Sequence, residues 1–440
     1  MLKLTPLVGV FCVLAADAAA ENGVSFQRDV APVLQRRCAS CHNEENAKGG
    51  YRIDSFSRLQ QPGDSGVAPF VSGKPAESEI HRLIVSEDSG ERMPQKADAL
   101  PEGEVEVITH WILEGANFDG PDPQRSLAEL VRDVHLRPAP SQYGRPIPVT
   151  ALAFSPDARR LAVSGYREVL IWNTIDGTLF KRIGNLPERI MSLAWEPQRN
   201  VLAVAGGTPG QWGTVALLDV ANNYRSRFLC DLSELALSIT FTRDGNLLAA
   251  GCGDRTLRLF DVSSGKSTRV LRLHADWVQY LALNAGGTRL ATASRDRTAR
   301  ILDTSDWHQV ASYQGHDHAV LAAAFSPDDT RVFTTARGEG HQWHPEGGTK
   351  RYELADLGGE ARGLVSAPFG IASGSSDGAL RLYQVDAKDP WLTLREHHDS
   401  IHALAVSPRG DLLASGSADG EVIIWGPACW TPITRFVARP

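Results

Sequence analysis

The chain has no surplus of positive charge: 45 Lys and Arg face 52 Asp and Glu, a formal net of −7. That excludes non-specific nucleic-acid binding through a cationic surface. Past its N-terminus it has no apolar run near the ~18 residues that a membrane-crossing helix needs. It also lacks compositional bias. Its 42% hydrophobic and 22% charged content is that of a soluble globular protein, which excludes disordered and collagen-like chains. Its 40 Gly and 25 Pro are spread rather than clustered, as in a protein with many turns. What the chain has in excess is length: 440 residues exceed one ordinary core, so two or more packed units are expected.

Residues 1–20 read as a cleaved secretory signal peptide. Lys3 opens it, Leu7 to Ala16 form the apolar stretch, and Ala18-Ala19-Ala20 supplies the small-residue cleavage site. Cys12 lacks the small residues that a lipoprotein site needs before its cysteine. The mature chain is therefore expected to be periplasmic or otherwise exported, with no transmembrane span. Residues 21–120 form one block with 10 basic and 17 acidic residues, so the whole negative balance sits there. The Pro-rich stretch 121–148 reads as a linker or docking segment.

From residue 149 to 440 the chain repeats. Val149 to Trp172 is one cycle, and its closing positions Trp172, Leu218, Phe260, Leu302, Trp343, Tyr383 and Trp425 are spaced by 46, 42, 42, 41, 40 and 42 residues. One four-stranded blade cannot cover both its faces, but a blade between two neighbours in a ring can. Seven such cycles predict an all-β propeller of seven blades. These residues resemble the WD40 family, whose Ser-Pro-Asp turn stands at Ser155-Pro156-Asp157 and Ser326-Pro327-Asp328. The resemblance implies a buried His, Ser/Thr, Asp, Trp network. It maps onto His397, Ser415, Asp419 and Trp425 in the last blade, and onto His274, Thr292 and Asp296 in the fourth, where Leu302 replaces Trp. The fifth blade offers His316 but no Asp in its second turn. The second, with Thr208 to Gly213 inserted, diverges most. Thr431 to Val437 could supply the last outer strand, closing the ring without a strand swap.

The sharpest local signal is Cys38-Ala39-Ser40-Cys41-His42. Two thiols three apart can each add to a haem vinyl group, and the adjacent imidazole then ligates the iron. A zinc site would want a second Cys/His pair, and a thioredoxin-like dithiol a βαβ setting; neither is present here. Asp29 is expected to cap a short helix that tolerates Pro32. Val105, Ile108, Ile112 and Leu113 lie at helical spacing beside Trp111, before Gly115. A helix leading into the motif and a later helix packed across it resemble small, mainly α c-type cytochromes, and in particular the planctomycete-type cytochrome domain. That resemblance implies one covalently bound haem c, with Met93 of Arg92-Met93-Pro94 as the second axial ligand of the iron opposite His42. Composition points the same way. Of three Met, Met1 belongs to the signal and Met191 to a predicted propeller strand. His81 and His110 are the rival ligands. A His/Met pair raises the iron potential relative to His/His.

Cys230, Cys252 and Cys429 read as structural thiols, and His316, His318, His341 and His344 as blade-turn and loop residues. The first functional reading is one-electron transfer, with a redox partner whose docking face is basic and a propeller that docks a protein or peptide. An oxidoreductase whose propeller carries its own active site is the alternative. Known haem-and-propeller oxidoreductases, however, use eight blades, and this chain has no second Cys-x-x-Cys-His. A scaffold with structural haem is the third. No residue is assigned a catalytic role, so the pattern points to an electron-transfer or binding protein rather than a catalyst.

Overall fold

A computed structural model of the chain describes residues 23–39, 41–44, 46–95, 97–426 and 430–440. The predicted signal segment and Cys429 lie outside the described residues. The chain divides into two compact units, up to Val131 and from Arg132 onward. No described helix is long and apolar enough to cross a membrane.

The first unit is mainly helical. A π-helical turn, Phe26–Val30, runs into α1, Ala31–Arg37, with Pro32 in the first turn, where a missing N–H costs nothing. The cap is Ser25 rather than Asp29. The Ser25 hydroxyl accepts from Arg28 N at 2.9 Å and Asp29 accepts from Ser25 N at 3.0 Å. This reciprocal pair satisfies two orphan donors. Short helices α2, Phe56–Leu59, and α3, Glu79–Ile84, precede α4, Glu102–Leu113. Ile108, Trp111 and Ile112 of α4 are buried, whereas Leu113, expected on the core face, is 53% exposed.

Aromatic rings hold this unit together. Phe26 lies 4.7 Å edge-on to Phe56 and 5.5 Å from Trp111, Phe56 stacks on Phe118 at 4.6 Å, and Phe70 meets Trp111 at 4.9 Å. Such pairs stabilise beyond their buried area. Glu104, in the first turn of α4, binds Arg36 at 3.2 Å and Arg37 at 2.7 Å in the last turn of α1. Each charge faces the favourable end of its own helix dipole. The stretch 121–148 carries α5, Leu127–His135, within which the division between the units falls.

The second unit is a propeller of seven four-stranded antiparallel sheets, each built from consecutive strands. The first runs Leu152–Phe154, Arg160–Ser164, Val169–Asn173 and Leu179–Ile183. The last ends in Thr431–Val437, paired with Glu421–Gly426, so no blade borrows a strand. The ring closes by side-chain packing: Val149, Leu152 and Phe154 of blade one share a core with Ala403, Ala405, Val422 and Ile424 of blade seven. Val149 N also donates to Ser417 O at 3.0 Å.

The divergence of blade two has a packing reason. Its inserted Trp212 is buried, stacks parallel on His135 at 5.2 Å, and donates to Asp231 at 3.2 Å. Asp231 also pairs with Arg132 at 2.8 Å. The insert thus receives the last turn of α5, a contact within the second unit.

Candidate functional site

The Cys-x-x-Cys-His motif sits where α1 ends. Cys38 N donates to Leu34 O at 2.9 Å as the helix cap, and the N–H groups of Cys41 and His42 both return to Cys38 O at 3.1 Å. The chain therefore continues as a helical turn, and residues four apart on such a turn share a face. Cys38 and His42 both line one cavity of about 220 Å³. Cys41, on the same turn, is half-buried and does not line it.

The loop after the motif folds back on it. Ile53 N donates to His42 O at 2.9 Å, and the His42 Nδ1–H points to the Tyr51 carbonyl at 3.3 Å. A carbonyl can only accept, so this bond places the proton on Nδ1 and leaves Nε2 with a free lone pair. That is how a metal-ligating imidazole is oriented. Tyr51 is itself held by its hydroxyl to Leu59 O at 3.0 Å.

The rest of the cavity wall is mostly apolar: Leu34, Ile53, Val67, Pro69, Ile80, Leu83 and Ile84. Met93 joins it, with its backbone N–H on Leu83 O at 3.0 Å. The rival histidines do not line it. His81 is half-buried on α3, where burial pushes its pKa down, and His110 is exposed on α4. Burial pushes the Cys38 thiol up to about 12, with Glu104 adding to the shift. A thiol, a thioether and an imidazole with a free nitrogen, around a mostly apolar slot, fit a haem.

The buried polar groups of the propeller are structural. In blade four His274 bonds Thr292 at 2.8 Å and Asp296 at 2.9 Å. In blade seven His397 and Trp425 both reach the Ser415 hydroxyl, at 2.7 and 2.8 Å. The carboxylate beside His397 is Glu421 at 3.0 Å, not the expected Asp419, which instead accepts from Glu421 N. Blade five completes the same network with Glu339: His316 bonds Thr334 at 2.8 Å and Glu339 at 3.1 Å, and Trp343 donates to Thr334 at 3.1 Å. A longer acid one position further on reaches the histidine, which a search for Asp at one spacing misses.

Blade six replaces the network with Arg381, 1% exposed, which clamps Asp377 through two bonds of 2.9 and 2.6 Å. His316, Glu339 and His341 bring ligand atoms within 4.8 Å of one another. The two rings, however, stack nearly parallel at 4.1 Å. Their in-plane lone pairs run in parallel planes and do not converge on one ion at the ~2 Å a metal bond requires. His318 is exposed and bonds Glu339 at 2.5 Å, and His344 lies 3.4 Å from Arg331. Cys252 is buried and Cys230 half-buried, and burial pushes both thiols up.

Residues 38–96 match the family described as Planctomycete cytochrome C, a span that contains Cys38, Cys41, His42 and Met93. Residues 142–173, 233–261, 265–303, 307–341 and 388–426 match the WD domain, G-beta repeat. The unmatched blades are two and six. No curated protein matches the chain. The chain therefore joins a planctomycete-type cytochrome C domain to a seven-bladed WD40 propeller. It is a haem-binding propeller protein.

Proposed function

We propose that the chain is an exported mono-haem c-type cytochrome that passes single electrons, with its propeller as the docking platform for another protein. The observation that carries this is the convergence of Cys38, His42 and Met93 on one largely apolar cavity. A covalently held haem c supplies a one-electron couple there. Cys38 and Cys41 would hold it through thioethers, and His42 and Met93 would bind the iron. Tyr51 O keeps the imidazole aimed, and the aliphatic wall excludes water. With His42 and Met93 both holding the iron, the site would exchange electrons rather than bind substrate. The acidic balance of residues 21–120 favours a redox partner with a basic docking face, through an association that salt weakens. The signal-like segment 1–20 supports export to the periplasm, where haem c is attached.

Expression with a haem c maturation system tests the reading. An intact mass raised by one haem, a reversible couple, and no turnover of nitrite, peroxide or alcohols are expected. The oxidised protein should also show the weak long-wavelength band of thioether-ligated ferric haem, absent in Met93→Ala. A colourless protein of unmodified mass would overturn the proposal, and a band that persists in Met93→Ala would overturn the ligand assignment.

A further inference from the structure

We infer that Lys48 is the counter-charge of the haem carboxylates and sets the potential of the site. This rests on the haem reading above. The cavity wall contains three ionisable side chains besides Cys38, His42 and Tyr51: Lys48, Asp64 and Glu79. Glu79 is neutralised by Arg82 at 3.0 Å. Lys48 is the single cation among the described lining residues, and its ammonium has no ion-pair partner among the described residues.

Arg58 and Arg92 also stand without an ion pair among the described residues, but neither lines the cavity. Arg28, Arg36, Arg37, Arg52, Lys74 and Arg82 each pair with a carboxylate, in a segment where acids outnumber bases. An unpaired cation at the mouth of an apolar slot suits an anion that arrives with the ligand.

The backbone holds Lys48 in place. Its N–H donates to Cys41 O at 3.2 Å and to Asn46 O at 3.0 Å, and the next residue is pinned when Asp64 N donates to Gly49 O at 2.7 Å. Gly50 has φ +65°, and a Cβ there would strike the Asp64 carboxylate at 2.1 Å. The Lys48 backbone is therefore held against the motif, while its side chain is exposed. A haem brings two carboxylates to its exposed edge, and a facing ammonium stabilises the reduced, less positive iron relative to the oxidised form.

Four variants of the full chain test this after maturation: Lys48→Gln, Lys48→Glu, Lys48→Arg, and Lys74→Gln as the control, since Lys74 pairs with Glu77 at 3.0 Å away from the cavity. Bound haem is counted from the pyridine haemochrome spectrum, and the midpoint potential is read by spectroelectrochemistry. Lys48→Gln should lower the reduction equilibrium constant roughly tenfold, which is about 59 mV for one electron. Lys48→Glu should lower it further, and Lys48→Arg should hold it. A Lys48→Gln protein that takes no haem while Lys48→Arg does supports the same role. A full haem complement with potentials no different from Lys74→Gln would overturn the inference and leave the cytochrome reading intact. A wild-type chain without haem would overturn both.

Discussion

Replacing Thr334 by Val separates two contributions that usually come together. Thr334 is fully buried in blade five, and its hydroxyl serves two rings, the His316 imidazole at 2.8 Å and the Trp343 indole N–H at 3.1 Å. Valine keeps the volume, so no cavity opens. The cost is the burial of two ring nitrogens without partners, each about 1–3 kcal/mol, or roughly 2–6 kcal/mol together. The blade-four equivalent, Thr292→Val, strips only His274 of its 2.8 Å partner, because Leu302 stands where an indole would be. It should cost about 1–3 kcal/mol. Calorimetry of the propeller transition is the assay, read separately from the haem unit because a two-unit chain need not unfold in one step. Thr334→Val must lower the transition more than Thr292→Val. Equal losses would show that the indole bond contributes nothing, and the reasoning about shared acceptors would fail.

Gln342→Leu should stabilise the propeller by about 1–3 kcal/mol, since both side-chain polar atoms of Gln342 are buried without a partner among the described residues. Leu382 and Ile424 fill the same place in blades six and seven, and a destabilised Gln342→Leu in chemical denaturation would refute this. Propeller stability should also fall on acidification from about pH 6.5 toward pH 4. Burial pushes His341 and His397 down to about 4 from an ordinary 6.5. The unfolded chain therefore takes up protons that the folded chain refuses, and stability rises with pH across that window. The limit is about 3 kcal/mol per histidine, offset in part by Glu421, which burial pushes up and which acts in the opposite sense. Melting temperatures that stay flat between pH 7 and 4.5 would contradict this.

The parts that were legible in sequence are those fixed by burial or covalent chemistry. The blade period shows because each closing residue meets the same interblade environment, whether it is Trp172, Phe260 or Tyr383. Its regularity survived blades in which the hydrogen-bond network did not. The Cys38, Cys41, His42 motif shows because three uncommon residues stand in a fixed order within five positions. What could not be read was choice among near-equivalent polar groups. Ser25 and Asp29 are both good caps, and only the geometry of the entering π-turn makes Ser25 the cap while Asp29 accepts from its N–H. Glu339 and Glu421 replace an expected Asp because one more methylene reaches the histidine from a different turn position. Leu113 has the right spacing for the core, but α4 ends there, and the last turn carries it to solvent.

The same distinction explains why blades two and six drift from the repeat. A blade is held mainly by apolar area shared with two neighbours, at roughly 25 cal/mol per Å². Its internal network contributes only the difference between a satisfied and an unsatisfied buried group. Selection can therefore change that network wherever another arrangement also satisfies the groups. Blade six pairs a buried Arg381 with Asp377 through two charge-assisted bonds, which fixes the turn as firmly as a histidine would. Blade two gives its turn to Trp212, whose indole bonds Asp231 and whose ring face meets His135. Satisfaction is not complete in blade six, where Arg381 Nε and the Ser373 and Ser375 hydroxyls are buried without a partner among the described residues, so the shared apolar area has to carry the blade.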